Sequence, residues 1–295
     1  MRASKRLHRV KRIAAIFFMA ALLTGCASAS ANGTDANNLL TTTVLKIGKA
    51  DAIVITQGEH AMVIDCGEEE DGLEVIEFLA ANGIDRLEAL IITHYDKDHV
   101  GGADTVVETV DIDRVLVPDY DGTSTEYSDF ETAIEAKGLT MERLTESVSF
   151  TLGDALVTVD PPLDYSVAAK IHTDPLLEID NNLSLITTIV HGNNRLLYMG
   201  DAEKARIKEF LTTDAAVDCD FLKVPHHGVY TTALNDLLDA VTPECAAIND
   251  SAKNPADDET LQLLKDKGVT TRQTQSGKIT IVSDGDKVEI QQKSK

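Results

Sequence analysis

The sequence predicts an α/β fold in which two β-sheets pack face to face under helices, a four-layer αββα sandwich. Three observations carry this expectation. Short apolar, β-branched runs alternate with amphipathic helical patterns along the chain. No repeat, low-complexity block or linker separates them beyond the first 42 residues. The 43% hydrophobic and 26% charged content is that of one globular domain or two small ones.

The elements follow in order. "TTVLKIG", "AIVIT" and "AMVIDCG" (42–48, 52–56 and 61–67) read as consecutive antiparallel strands, the last two joined by the turn-like "QGEH". In "DGLEVIEFLAANGI", apolar residues at 73, 76, 79 and 80 predict an amphipathic helix stopped near Gly83. "LEALIIT" is a buried strand, "HVGGADTVVETV" opens a helix, and "RVLVP" is the next strand. "SDFETAIEAKG" reads as a helix, and "ALVTVDPP" as a strand stopped by Pro161 and Pro162. "LSLITTIVHGNNRLLYMGD" predicts a hairpin turning at residues 192–194. Helices at 202–211, 233–241 and 257–268 alternate with the strands "CDFLKVP" and "ECAAIN", and "KITIVSDGDKVEIQ" closes as a hairpin around Asp284-Gly285. Each half begins with strands and then adds helices, which predicts two similar halves.

Residues 1–25 stand outside this pattern. "KRLHRVKR" is a basic n-region, and "IAAIFFMAALL" is an apolar stretch too short for a bilayer span of about 20 residues. The segment reads as a signal peptide. "LLTGC" (22–26) resembles a bacterial lipobox, which makes Cys26 the lipid attachment point; the alternative is ordinary cleavage near Ala27 or Ala29. Residues 26–42, including "ASASANGTDANN", read as a flexible polar tether, and 43–295 as the folded domain.

Removing residues 1–25 takes away six basic residues and no acidic ones. The remaining chain has 21 Lys+Arg against 49 Asp+Glu, a net charge of −28. Such a field argues against non-specific DNA binding, so no stable nucleic-acid complex is expected. Local action on a phosphate stays open, because a bound cation inverts the field at a site. Cys66, Cys219 and Cys245 lack metal-like spacing and read as buried thiols, with one disulfide an open alternative.

The chemistry collects at strand ends. "THYDKDH" places His94, Asp96, Asp98 and His99 within six positions just after an apolar run. Converging carboxylates raise one another's pKa unless a cation resolves the conflict. His-x-Asp-x-Asp-His therefore reads as a divalent metal motif. "LLYMGD" ends another strand in Asp201, and "LKVPHHG" ends a third in His226-His227. His191 sits at the hairpin turn, at the far end of the strand leading to Asp201, and is excluded as a ligand; His8, His60 and His172 read as incidental.

These segments resemble the metallo-β-lactamase fold superfamily, and more closely the hydrolase domain of ComEC-type competence proteins and its free-standing relatives. The resemblance spans about residues 43–291. "IGKADA" with Asp51, "IDCG" with Asp65, "NNLSLITTI", "LLYMGDAE", "LKVPHHG" and "RQTQSGKITI" carry it, and Asp96 occupies a ligand slot where the wider superfamily has histidine. The resemblance implies two divalent ions, Zn or Mn. His94, Asp96 and Asp201 would hold the first with water. Asp98, His99, Asp201 and one of the histidine pair would hold the second. His227 is the favoured ligand, with His226 as proton donor or phosphate contact. Asp51 and Asp65 would bond the loops around the site. Gly101 and Gly102 would let the backbone approach it closely.

The chain departs from the superfamily in its third motif, where Asn181, Asn182 and Ser184 stand in the region of the usual histidine, and in Asn254-Pro255, where the subgroup often has His-Pro. Catalytic roles are expected for His226 and Asp98, and weaker substrate contacts for Lys223, Thr231, Thr232 and Asn182. For Lys223 a strand-edge salt bridge is the plainer alternative, and for the threonines a helix N-cap. The function implied is an extracytoplasmic, lipid-anchored metallohydrolase, a phosphodiesterase or nuclease using a hydroxide held between two ions. Its substrate would be DNA, a cell-envelope phosphodiester or a small phosphodiester, and its other partner the membrane surface. The alternative is a metal-binding surface lipoprotein without turnover, assisting DNA uptake or envelope assembly.

Overall fold

A computed structural model of the chain describes residues 38–166 and 179–292. The expected signal peptide, Cys26, His8, His172 and most of the tether lie outside the described residues. Among the described residues no helix is long and apolar enough to cross a membrane.

The N-terminal meander forms as expected: β1 (Leu40–Val44), β2 (Ala52–Gln57) and β3 (His60–Cys66) are antiparallel neighbours. Leu40 is fully buried, so the folded part begins before the expected boundary at residue 43. Helix α1 (Asp71–Ala81) follows. It buries Val75 and Leu79 and leaves Leu73 and Ala80 exposed, so its apolar face is rotated from the one the spacing suggested. The predicted strand at 87–93 is split into β4 (Arg86–Leu87) and β5 (Ala89–Ile91). Two short helices, α2 (Lys97–Val100) and α3 (Ala103–Thr109), carry the chain to β6 (Asp111–Ile112) and β7 (Val115–Pro118). Beyond α4 (Thr125–Lys137), ended by Gly138 in the left-handed conformation, come β8 (Met141–Leu144), β9 (Val148–Leu152) and β10 (Ala155–Asp160).

The second half runs through β11 (Ile186–His191), β12 (Asn194–Tyr198), α5 (Lys204–Phe210), β13 (Phe221–Lys223), α6 (Leu234–Val241), β14 (Cys245–Ile248), α7 (Asp258–Asp266) and β15 (Thr270–Gln273). The closing hairpin is β16 (Ile279–Ser283) and β17 (Val288–Gln292).

One sheet has the order β17-β16-β1-β2-β3-β5-β7-β8, and the other β15-β14-β13-β12-β11-β10-β9. Each is antiparallel over one part and parallel over the other, the parallel strands being β3, β5, β7, β8 and β12 to β15. The halves are thus similar but not sequentially separate, because β16 returns to pair with β1 across the N-terminal meander.

Both faces of the central strands are covered. Ile53, Ile55 and Ile64 meet Val157, Ile189 and Phe221 between the sheets. Val54 and Val63 face the opposite way, with Val75, Leu79 and Phe130. Leu197 and Leu222 do the same under Ile207 and Leu237. Period-2 alternation with apolar residues on both faces is the pattern of strands enclosed by helices on one side and by the other sheet on the other.

Gly101 and Gly102 serve this packing. A Cβ on Gly102 would lie 2.5 Å from the Gly72 nitrogen and 2.6 Å from the Cys66 oxygen, and one on Gly101 would lie 2.7 Å from the backbone of Glu68 and Glu69. The close approach expected of these glycines is therefore backbone against backbone beneath the site. We expect Gly102→Ala to lower stability by about 1–3 kcal/mol, the range for overpacking, measured by urea unfolding.

Candidate metal centre

The site gathers at the carboxyl ends of β3, β5, β12 and β13, the edge where open α/β sheets place their ligands. β3 ends near Asp65, whose left-handed backbone (φ 58°) turns its carboxylate back under the β5 loop. Asp65 accepts from the Thr93 backbone N–H (2.7 Å) and hydroxyl (2.7 Å), and lies 2.8 Å from His99 Nδ1. The loop after β5 then presents His94 and Asp96, and α2 presents Asp98 and His99. From the second sheet, Leu185 N–H donates to the Thr93 carbonyl (2.9 Å), which joins the two sides at this end.

Asp201 follows β12 through Gly200, whose φ is 53°. Its N–H donates to the Ser184 hydroxyl (3.2 Å). After β13, Pro225 leads into two successive left-handed residues, His226 (φ 49°) and His227 (φ 51°). Non-glycine residues adopt this conformation at a cost, and three of the four that do so among the described residues are Asp65, His226 and His227.

This geometry separates the adjacent histidines. His227 is buried, with Nε2 3.1 Å from Asp201 Oδ2 and 3.4 Å from Asp98 Oδ2. Its Nδ1 faces Asp51 Oδ1 at 3.4 Å. His226 is partly exposed, 3.3 Å from Glu203 Oε1 and 3.9 Å from Asp201 Oδ2. His99 Nε2 lies 3.3 Å from Asp201 Oδ1. Asp98, His99, Asp201 and His227 can each place a ligand atom within 4.8 Å of the others. His94 and Asp96 form a second mouth of the same site, with 3.7 Å between His94 Nε2 and Asp96 Oδ2, and the His94 and His99 rings lie 4.1 Å apart.

The donor set fits divalent ions. The Nε2 atoms of His94, His99 and His227 and Oδ1 of Asp201 are buried without hydrogen-bond partners. Such orphaned atoms are rare in folded proteins and expensive. Imidazole and carboxylate together suit zinc or manganese.

Charge sharpens the same point. Burial opposes ionisation of Asp201, but His227 and His99 hold its carboxyl well below the usual range. Burial likewise opposes protonation of His99 and His227. Asp201 and Asp65 carry His99 well above its ordinary value, and Asp201 and Asp51 push His227 up to about 9. Burial and then the charge of Asp96 push Asp180 up to about 6.

Other expected site residues are placed differently. Lys223 is fully buried, 2.8 Å from Asp51 Oδ2, and donates to the Val224 carbonyl. Its strand lies between β12 and β14. It therefore forms the salt bridge in the sheet interior, not at an edge, and holds the carboxylate that faces His227 instead of reaching the open face. Asn182 Oδ1 accepts from the Arg206 N–H at the start of α5 (3.0 Å). Thr231 is half-buried and Thr232 exposed; α6 is preceded by Ala233, so neither hydroxyl caps it. His191 bonds Ser283 (2.8 Å) at the turn end of β11, away from the site, and His60 contacts Glu88. Cys66, Cys219 and Cys245 are buried free thiols. The sequence pattern does not single out Asp180, which directly precedes "NNLSLITTI", or Glu203, the last residue of "LLYMGDAE".

In the metal-free protein, His227 stabilises the fold fully below its ordinary pKa, and that contribution is lost as pH rises through about 9. Chelator-treated protein should therefore lose stability between pH 6.5 and 10. Manganese added at pH 8 should restore it, because a ligating imidazole is neutral; urea unfolding with and without the metal reads both. Lys223→Met should cost about 3–5 kcal/mol by stranding the Asp51 charge, read in the same assay.

A family model described as the metallo-beta-lactamase superfamily matches residues 46–248. ComE operon protein 3 of Bacillus subtilis (strain 168) is 29% identical over 211 residues, covering 70% of this chain and 26% of that protein. Recombination protein 2 of Haemophilus influenzae is 27% identical over 219 residues, covering 72% and 24%. The chain thus spans about a quarter of the length of these curated relatives. Among solved structures, the metallo-beta-lactamase fold protein YhfI from Bacillus subtilis superposes with a TM-score of 0.55 at 12% identity, covering 83% of this chain and 99% of that one, a likeness of fold.

Proposed function

The chain belongs to the metallo-beta-lactamase superfamily, and from that premise we propose that it is a metal-dependent hydrolase of phosphodiesters, held outside the cytoplasm by a lipid on Cys26. The observation that carries the hydrolase reading is the convergence of Asp98, His99, Asp201 and His227, in which His99 Nε2, His227 Nε2 and Asp201 Oδ1 are buried without a hydrogen-bond partner. Divalent ions there supply Lewis acidity and a strong nucleophile from water at neutral pH. Asp98, His99, Asp201 and His227 would hold one ion, and in this reading His94 and Asp96 would hold the other together with Asp201.

The chain's own residues provide the rest. Asp65 fixes His99 and Asp51 faces His227, each through Nδ1, which leaves Nε2 toward the site. His226, on the partly exposed rim against Glu203, would move a proton to the leaving group. Asp201 lies in one ligand group with Asp98, His99 and His227.

Substrate class rests on the resemblance and on charge. Carboxylate at position 96 favours phosphoester over lactam or lactone substrates, whose hydrolases usually keep histidine there. The resemblance to ComEC-type proteins keeps DNA among the candidates. The net charge of −28 and only 4% aromatic residues favour a small or cell-envelope phosphodiester over a long nucleic-acid groove.

With manganese or zinc present, turnover of bis-p-nitrophenyl phosphate and of single-stranded DNA tests this reading. We expect turnover of the small diester, abolished by His94→Ala and by Asp201→Asn, and reduced roughly 10²- to 10⁴-fold in kcat by His226→Ala, the usual contribution of a general acid. Stoichiometric metal with no turnover on any ester would instead support a non-catalytic metal-binding lipoprotein.

A further inference from the structure

The segment with Asn181, Asn182 and Ser184 lacks the histidine usual in the superfamily's third motif, and its polar side chains reach toward the segment after β12. The Ser184 hydroxyl accepts from the Asp201 N–H (3.2 Å), and Asn182 Oδ1 accepts from the Arg206 N–H (3.0 Å). The two amide nitrogens converge on one carboxylate. Asn181 Nδ2 donates to Glu203 Oε1 (3.4 Å), and Asn182 Nδ2 donates to Glu203 Oε2 (3.3 Å).

Glu203 stands directly before α5, yet its side chain makes no cap bond to that helix. It turns to the rim of the metal centre, where Oε1 lies 3.3 Å from His226 Nδ1. The other ring nitrogen of His226, Nε2, lies 3.9 Å from Asp201 Oδ2 and so faces the ligand group. The left-handed backbone of His226 is held on both sides. Its N–H donates to the Gly200 carbonyl (3.2 Å), and its carbonyl accepts from the Val229 N–H (2.8 Å). Only the side-chain torsions then decide where the ring points.

We propose that Glu203 is the positioning residue for His226, itself held by Asn181 and Asn182. It keeps Nδ1 on its own side and so presents Nε2 to the leaving group. This rests on the reading of the chain as a hydrolase with His226 as proton donor. A carboxylate on Nδ1 fixes the tautomer and orientation of an acid–base imidazole without touching substrate. The two asparagines thereby act on the site through Glu203.

Other roles suit Glu203 less. Among the described residues the convergent ligand groups include Asp201 but not Glu203. Its pairing with His226 is partly exposed on both sides, and an ion pair of that kind adds little to stability.

The test compares the full chain with Glu203→Ala in the presence of manganese, on bis-p-nitrophenyl phosphate. Glu203→Ala should lower kcat at least ~10-fold, the scale of a misplaced reacting group, with KM unchanged and the same bound manganese by equilibrium dialysis. In a His226→Ala background it should have no further effect, because both changes remove one function. An unchanged kcat, a loss that adds in full to that of His226→Ala, or a loss of bound manganese would overturn the proposal. Ring ¹⁵N spectra, taken where the imidazole is neutral, give a reading that needs no turnover. His226 should carry its proton on Nδ1 in the unaltered protein and shift it toward Nε2 in Glu203→Ala; the same tautomer in both overturns the proposal. Absence of turnover in the unaltered protein sinks the hydrolase reading itself, and the ring spectra still decide the contact. If Glu203→Ala does not fold, Glu203→Asp decides: one methylene shorter, it should lower kcat and leave KM, and an unchanged kcat overturns the proposal.

Discussion

The buried carboxylate of Asp65 is the fixed point on which the site depends. It receives the backbone and hydroxyl of Thr93 and faces Nδ1 of His99. One side chain at the end of β3 thereby sets the path of the β5 loop and the ring orientation of a candidate ligand. Its left-handed backbone is tolerated because β3 lies between β2 and β5 in a sheet covered on both faces. Asp51 plays a parallel part for His227, itself held by the buried Lys223 ammonium. The His99 ring is thus held through Nδ1 by Asp65 and that of His227 faces Asp51 through its own Nδ1, while the groups they meet through Nε2 include Asp201 of the second sheet.

This arrangement makes the two-sheet sandwich a requirement of the chemistry. Asp201 and His227 leave adjacent parallel strands, β12 and β13, and His94 and His99 leave the end of β5. The sheets pack on Ile53, Ile55, Val157 and Phe221, so their ends register against each other without ligand contacts. The bond from Leu185 to Thr93 links the two sheets at the end that carries the site.

Charge on two scales also becomes consistent. The chain is strongly acidic, which repels polyanions at long range. At the site the carboxylates could hold cations, which would reverse the local field.

Much of this was legible in the sequence. His94, Asp96, Asp98 and His99 are contiguous, and their spacing carries a chemical meaning that no fold is needed to read. The meander, most of the helices and both hairpins followed from periodicity and turn residues, which are local properties. The sequence by itself thus determined the layered α/β class and the kind of donors at the site. Only the tertiary structure decided which donors converge, with His227 inward and His226 on the rim, and that Lys223 lies buried against Asp51. It also decided that β16 returns to the first sheet and that α1 buries Val75 in place of Leu73. The physical reason is the same throughout. A left-handed backbone, a sheet order and a contact across many tens of residues are set by packing between distant segments, and nothing in a residue's immediate neighbours specifies them.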